Sequence, residues 1–377
     1  MDRIPGMLKV TLLAAASFFL FGCGGGSAST AAAPVGPTAP LSVKSSSYAN
    51  KAIAAEIVGS RALPREVSSS NSAAYADFFQ EGEYSLVTHT LDYKFNDPTT
   101  SSQFGRIHFY KSQNGQWVDK TSDLLADTVG CLHPRKALVS DFNLDGRPDV
   151  FFACHGFDAA PFPGEMPHLL MSQPGGRYSN ITLPFTGFFH GASAADINGD
   201  GFPDLVVTSF SKPYFLINNK NGTFTADTTR LPGSVNNKQI FAAELLDLAG
   251  AGVLDLFLGG HEQSGTWPAT ILKNDGNGNF AALPPLVLPS ATGYGFAMDI
   301  VFTAGNIYLC RTIDAGDNFY GGAAVQRISY PALASSVPYI RSGNQPYSNG
   351  SKWINWIAPF QGRIVSMDSI YGLSIAQ

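Results

Sequence analysis

Charge is scarce in this sequence. Only 14% of its 377 residues are Asp, Glu, Lys or Arg, against about 25% in an average globular protein. With 44% apolar residues the chain has enough to bury, which excludes intrinsic disorder. A basic excess is missing too, since 24 Lys and Arg face 29 Asp and Glu for a formal net charge of -5. Such a surface has no field to gather DNA, RNA or anionic lipid, so no nucleic-acid partner is expected. After the N-terminal stretch no run reaches about 18 consecutive apolar residues, so no later segment is expected to cross a membrane as a helix. Common enzyme signatures are absent as well: there is no Gly-x-Ser-x-Gly elbow, Walker loop or Gly-x-Gly-x-x-Gly turn. What abounds is Gly 39, Pro 24, Phe 27 and Tyr 14, the composition of aromatic strands joined by many turns and hence of an all-β protein.

The N-terminus reads as an address. Arg3 and Lys9 precede the apolar stretch Val10 to Phe21, which fits the core of a secretory signal rather than a membrane span. Leu20-Phe21-Gly22-Cys23 resembles a bacterial lipobox, although Phe21 stands where a small residue is usual. That resemblance implies a signal over residues 1–22 and a diacylglyceryl group on Cys23. The alternative is an ordinary cleaved signal with a coincidental cysteine. From Gly24 to about Ser47 the chain is Gly, Ser, Ala, Thr and Pro, too poor in large apolar groups to offset the entropy of ordering. Residues 23–75 are therefore expected to be a lipidated tether, and 76–377 the folded domain, held as a monomer at the bacterial cell envelope, on the outer membrane or its periplasmic face.

The folded part repeats. Asp141-Phe-Asn143-Leu-Asp145-Gly146-Arg147-Pro-Asp149 and Asp196-Ile-Asn198-Gly-Asp200-Gly201-Phe202-Pro-Asp204 start 55 residues apart, and a weaker copy from Asp247 to Asp255 follows 51 residues later. Each loop lies between a small-apolar run and a β-branched or aromatic one, so each joins two strands. A third strand and a Gly-x-aromatic turn follow every time, as in Gly176-Arg-Tyr178, Gly222-Thr-Phe224 and Gly278-Asn-Phe280. Four strands per period of about 50 residues make one blade of a β-propeller. Carried outward, the frame places Asp92 and Asp299 at the loop position, 49 residues before Asp141 and 52 after Asp247. Because the tail from Trp353 to Ile375 is short, the segment near Ala76 to Tyr84 is expected to lend it a strand and close the ring. Six four-stranded blades are expected, with seven as the alternative.

These loops, with Asn274-Asp-Gly-Asn-Gly-Asn-Phe280 as an end-of-blade turn, resemble the FG-GAP or VCBS repeats of integrin-like β-propellers. The resemblance implies carboxylate-bound calcium and a propeller that binds or scaffolds, some members accompanying polysaccharide-active enzymes. Loop chemistry points the same way independently. Oxygen side chains at loop positions 1, 3, 5 and 9, a carbonyl at 7 and glycine at 6 wrap a hard cation. The two sets are Asp141, Asn143, Asp145, the Arg147 carbonyl and Asp149, then Asp196, Asn198, Asp200, the Phe202 carbonyl and Asp204. Phe152 stands where an EF-hand needs glutamate, so that motif is excluded. Two structural calcium ions are expected, and none in the third loop, where Ala249 and Ala251 replace ligands. The alternative is a set of Asp/Asn-Gly turns that need no metal.

Antiparallel pairing sends the residues flanking each hairpin to the face opposite its loop. His133 and His190 at strand starts, His155 and His261 at strand ends, and Asp158, Glu165 and Glu262 beside them therefore share one rim, a candidate ligand face. Each histidine separately satisfied in its own turn is the competing reading. Cys131 and Cys154 flank the first loop's hairpin within reach of a disulfide in an oxidising compartment, whereas Cys310 reads as a core thiol and Ser193 as strand packing. Two functions stay open: an envelope lipoprotein presenting this face to a glycan or protein, or a polysaccharide lyase or hydrolase using its histidines and carboxylates.

Overall fold

A computed structural model describes residues 46–48, 72–95, 97–209, 211–341, 357–360, 362–366 and 374–376. The signal stretch and the Cys23 lipidation site lie outside the described residues. Short, largely apolar runs, buried along their whole length in inner strands such as Asp149–Cys154 and Ile240–Leu246, produce a series of antiparallel sheets built in chain order. The first holds β1 (Ala73–Ala76), β2 (Ser85–His89), β3 (Ile107–Gln113) and β4 (Gln116–Asp119). The second holds β5 (Pro134–Ser140), β6 (Asp149–Cys154), β7 (His168–Ser172) and β8 (Tyr178–Thr182). The third holds β9 (Ala192–Ala195), β10 (Asp204–Val207), β11 (Tyr214–Asn218) and β12 (Phe224–Asp227). The fourth holds β13 (Ile240–Leu246), β14 (Asp255–Gly260), β15 (Thr270–Leu272) and β16 (Leu286–Val287). The fifth holds β17 (Phe296–Thr303), β18 (Asn306–Thr312), β19 (Ala323–Ser329) and β20 (Ser335–Arg341). A three-stranded sheet of β21 (Ile357–Phe360), β22 (Arg363–Ser366) and β23 (Ser374–Ala376) ends the chain.

The first strands of successive sheets lie side by side, β1 by β5, β5 by β9 and so on to β21. Small residues such as Ala192, Ala194, Ala195 and Ala243, all fully buried, allow those strands to crowd around an axis. Each sheet then buries both faces against its two neighbours. Val87 and Phe109 meet Val150 and Phe152 between the first and second sheets, and Phe151 and Leu169 meet Ala194 and Leu205 between the second and third. The same arrangement recurs between the third and fourth, the fourth and fifth, and the fifth and last sheets. Ala358 of β21 packs with Tyr75, Leu86 and Tyr110 of the first sheet, so the packing returns to its start. The fold is an all-β propeller with four-stranded blades.

Three expectations need correction. Residues 76–84 lend no strand to the tail: β1 pairs with β2 inside the first sheet, Ala73 opposite Thr88 and Ala76 opposite Ser85, and closure is by side-chain packing. The loop of this sheet therefore starts at Asp77, not Asp92; the Asp77 carboxylate accepts the backbone N–H groups of Glu81 (2.9 Å) and Gly82 (2.8 Å) and pins a hairpin there. Asp299 is not a loop residue either. A bulge beside it prolongs β17, the turn falls at Ala304 and Gly305, and the buried Asp299 carboxylate accepts the N–H of Ile357 at 2.8 Å to strap the last sheet on.

The third correction concerns the tether, because residues 46–48 are seated in the propeller. Ser46 and Ser47 are buried, and the Ser47 hydroxyl accepts the Ala194 N–H at 2.9 Å and pairs with the Ser193 hydroxyl at 3.1 Å. Ser193 in turn accepts the N–H of Leu245. Tyr48 packs on the core between the fourth and fifth sheets, its hydroxyl accepting the Phe302 N–H at 2.6 Å and donating to the Phe302 carbonyl at 3.2 Å. This Ser-Ser-Tyr triplet thus hydrogen-bonds two first strands, β9 and β17, and packs on β13 between them. Tyr48→Phe leaves the Phe302 amide unpaired, and we predict a loss of about 1–2 kcal/mol, read as a lower Tm; an unchanged Tm would show that the triplet is only lying on the ring.

Candidate functional site

Two ends of the ring differ in chemistry. At one end, four hairpin loops among the described residues share one closure. The first aspartate accepts the N–H groups of the residues four and five positions on: Asp77 as above, Asp141 from Asp145 and Gly146 (3.1 and 2.9 Å), Asp196 from Asp200 and Gly201 (3.1 and 3.0 Å), and Asp247 from Ala251 and Gly252 (3.1 and 2.6 Å). Position six has a left-handed backbone in all four, with φ between 75° at Gly252 and 91° at Gly201, so glycine is required there. Position nine staples the loop shut. Asp149 accepts the N–H of Phe142 (2.7 Å) and, from the next strand, of Ser172 (2.7 Å); Asp204 does so with Ile197 (3.0 Å) and Asn218 (2.8 Å). Ser85 copies half of this by accepting from Phe78.

Positions three and five separate the loops. In the loops at 141 and 196 they are Asn143 and Asp145, Asn198 and Asp200, adding side-chain oxygens beside the first aspartate. Burial raises the pKa of Asp141, and the neighbouring Asp145 charge raises it further. Burial likewise pushes Asp149 up to about 7 and Asp204 up to about 6, against the pull of their backbone hydrogen bonds. Each oxygen of Asp149 and Asp204 spends one lone pair on an amide and keeps a second. Crowded, half-desolvated, oxygen-only donors of this kind fit a hard divalent cation, which would hold them ionised. The other two loops do not fit. Ala249 and Ala251 offer no oxygen, and the Asp255 carboxylate is already neutralised by the Lys273 ammonium; in the loop at 77, position three is Phe79 and position nine is Ser85.

The opposite end is aromatic and imidazole-rich. Cys131 and Cys154 are joined there as a disulfide with a Cα separation of 5.6 Å, which ties the start of β5 to the end of β6. His133 and His155 follow their cysteines, with ring centroids 4.6 Å apart, and His190 lies 4.3 Å beyond His155. Phe241 bridges His190 to His261 at 4.2 and 5.0 Å. All four predicted histidines therefore share one continuous row of rings. Burial depresses the pKa of each, to about 4 for His261. Glu165 sits beside the disulfide and accepts the Leu132 N–H at 2.7 Å and, weakly, the His133 N–H at 3.4 Å; burial pushes it up to about 7 against those bonds. Asp158 lies 3.8 Å from His155. Glu262 is drawn away into a buried ion pair with Arg311 at 2.6 Å. Cys310 is a buried thiol, and Ser193 is wholly buried in β9.

A cleft of about 460 Å³ opens on this face, lined by Phe104, Leu132, Phe157, Gly164 and Glu165 with prolines 98, 161 and 163. Phe104, Phe162 and Met166 are exposed around it.

His89 was missed because it belongs to no repeat position. Its Nε2 accepts the Cys131 N–H at 2.8 Å and its Nδ1 lies 2.7 Å from the Thr90 carbonyl, so the ring is a neutral wedge under the disulfide. A Cβ on Gly130 would fall 1.9 Å from His89 Nε2; the Gly130-Cys131 pair was the available signal. Burial lowers the His89 pKa to about 3. The unfolded chain, titrating near 6.5, then binds the extra proton, so the stability contributed by His89 is complete above about pH 6.5 and drains away as pH falls toward 3. We predict that the Tm penalty of His89→Gln is largest at pH 7.5 and shrinks steadily down to pH 4; a penalty constant with pH would contradict the neutral wedge.

A family model described as an FG-GAP-like repeat matches residues 141–207 and 196–258. No curated protein matches the chain. Similar solved structures include a protein from Lactobacillus plantarum (13% identity, 72% of this chain and 71% of that one, TM-score 0.45). Others are the Niastella koreensis GH74 enzyme (12% identity, 78% and 40%, TM-score 0.46) and the periplasmic gluconolactonase of Pseudomonas aeruginosa (16% identity, 79% and 82%, TM-score 0.42). Likenesses of this degree carry no argument about activity or ligand.

Proposed function

We propose that this propeller of FG-GAP-like repeats is a six-bladed, calcium-stabilised binding module of the bacterial cell envelope, anchored through Cys23, that takes a glycan on the face opposite its calcium loops. The three-stranded sheet is the sixth blade, supported by its packing between the fifth and first sheets. The single observation carrying the ligand reading is the cleft beside the disulfide. Its volume falls in the range of roughly 300–1,000 Å³ usual for small-molecule sites, and Phe104 and Phe157 offer flat apolar surfaces beside one carboxyl group. Aromatic rings accept the C–H face of a sugar, while Glu165 can hydrogen-bond its hydroxyls.

A catalytic reading has one specific support. Burial pushes the Glu165 carboxyl up to about 7, toward the range in which a carboxyl can act as an acid. Sugar hydrolysis needs a second carboxylate across the bond, and among the described residues lining the cleft Glu165 stands alone. Binding is therefore the reading the geometry favours.

Asp141, Asn143, Asp145, the Arg147 carbonyl and Asp149 would hold one calcium ion, and Asp196, Asn198, Asp200, the Phe202 carbonyl and Asp204 the other. Both would be structural. Lys273 supports leaving the third loop without metal. Chelation should lower the Tm of the parent protein, and Asp145→Ala with Asp200→Ala should remove most of that response; a full response in the double variant would rule these loops out. Glycan-array capture should fall at least about tenfold for Phe104→Ala at unchanged Tm and likewise for Glu165→Gln, which keeps an oxygen for the Leu132 N–H, since one lost buried contact of about 1.4 kcal/mol is a factor of ten. Capture equal to the parent's would exclude the cleft.

A further inference from the structure

We propose a second metal site on the imidazole face, for a borderline divalent ion such as Zn²⁺, Co²⁺ or Cu²⁺, with His133 Nε2, His155 Nε2 and an Asp158 carboxylate oxygen as ligands. One ligand atom from each residue lies within 4.8 Å of the others. His133 and His155 are buried to 2% and 0% exposure, and His155 Nε2 has no hydrogen-bond partner there. An orphaned, buried ring nitrogen is costly unless something occupies its lone pair.

The hydrogen bonds on the far side of each ring fix which nitrogen is available. His155 Nδ1 lies 3.1 Å from the Gly156 carbonyl; a carbonyl only accepts, so the proton is on Nδ1 and the lone pair on Nε2. His133 Nε2 lies 3.4 Å from Arg135 Nη1; a guanidinium only donates, so here too Nε2 carries the lone pair, and Nδ1 donates to the Tyr93 hydroxyl at 2.8 Å. Both imidazoles are thus neutral and oriented by an outer acceptor, with the Nε2 lone pair bare on His155 and met on His133 only by Arg135 at 3.4 Å, the protonation state in which histidine binds a metal. Asp158 adds the carboxylate 3.8 Å from His155 Nε2. Two nitrogens and one oxygen select a borderline ion over calcium, whose site prefers oxygen alone.

No local spacing in the sequence announces this site, because its histidines come from opposite ends of one hairpin. Pro134 faces Cys154 in the β5–β6 pairing, and the disulfide beside it holds the two histidines in register. His190 is next in the row of rings but outside the three-residue cluster, so the fourth position is left to water. Metal–nitrogen bonds of about 2.0–2.1 Å set tetrahedral ligands roughly 3.4 Å apart, so binding draws the three groups together by about 1 Å and displaces the Arg135 guanidinium from His133. Arg135 is therefore a competitor for the site.

The test uses the full chain, saturated with calcium and stripped of transition metals, titrated with Co²⁺ and in parallel with Cu²⁺. One equivalent of Co²⁺ should bind with visible d–d absorption, and the Cu²⁺ resonance should show coupling to two nitrogens. His155→Gln and Asp158→Asn should each weaken Co²⁺ binding at least about tenfold, and Arg135→Gln should strengthen it. The Asp158 side chain is only partly buried, at 27% exposure, so its variant should keep the parent Tm and report on ligation even if His155→Gln fails to fold. No stoichiometric Co²⁺ binding, or binding to Asp158→Asn as tight as to the parent, would overturn the proposal. Because calcium is held constant and no glycan is present, this outcome is independent of the binding-module reading.

Discussion

An aspartate carboxylate gripping two backbone amides, four and five residues downstream, is the contact on which the molecule is organised. It bends the chain between the first and second strands of a sheet and places the position-nine side chain where it can staple the loop to the third strand. Asp149 and Asp204 show the complete device, each carboxylate spanning its own loop and the start of the next turn. A hairpin held at one end has its other end positioned too, so the same carboxylates that close these loops set the spacing of the residues on the far face. Hairpin register, loop chemistry and the imidazole row are one consequence of that grip.

The closure does not itself require metal. Asp247 makes it with alanines at positions three and five, and Asp77 with phenylalanine at position three. The proposal of metal rests instead on the oxygens added at those positions in the loops at 141 and 196. In the loop at 247, where they are missing, the Lys273 ammonium sits on the buried Asp255 carboxylate; in the loop at 196 the half-exposed Lys220 ammonium lies 3.4 Å from Asp200.

This division explains what could be read from residues alone. The loops at 141 and 196 were legible because five or six positions of each carry loop chemistry, and antiparallel pairing then located His133, His155, His190 and His261 on one face. The loop at 77 keeps only the aspartate and the glycine, a pair too common to stand out, so the frame slid to Asp92 and misassigned β1. Asp299 misled for the opposite reason: it occurs at the right interval but serves a strap between sheets. Tyr93 and His89 were invisible as site neighbours, since they meet the second sheet through packing from the first and not through the repeat. The seat of Ser47 and Tyr48 was hidden by composition, because a segment that looks too polar to fold alone is held by hydrogen bonds to two strands, β9 and β17, that it borders nowhere in sequence.

The most direct examination of this account is a crystal structure of the chain grown in calcium, with anomalous scattering used to locate the ions. The account predicts two ions, one among Asp141, Asn143, Asp145 and Asp149 and one among Asp196, Asn198, Asp200 and Asp204, with none in the loops at 77 and 247. Bare loops at 141 and 196, or an ion beside Lys273, would contradict it.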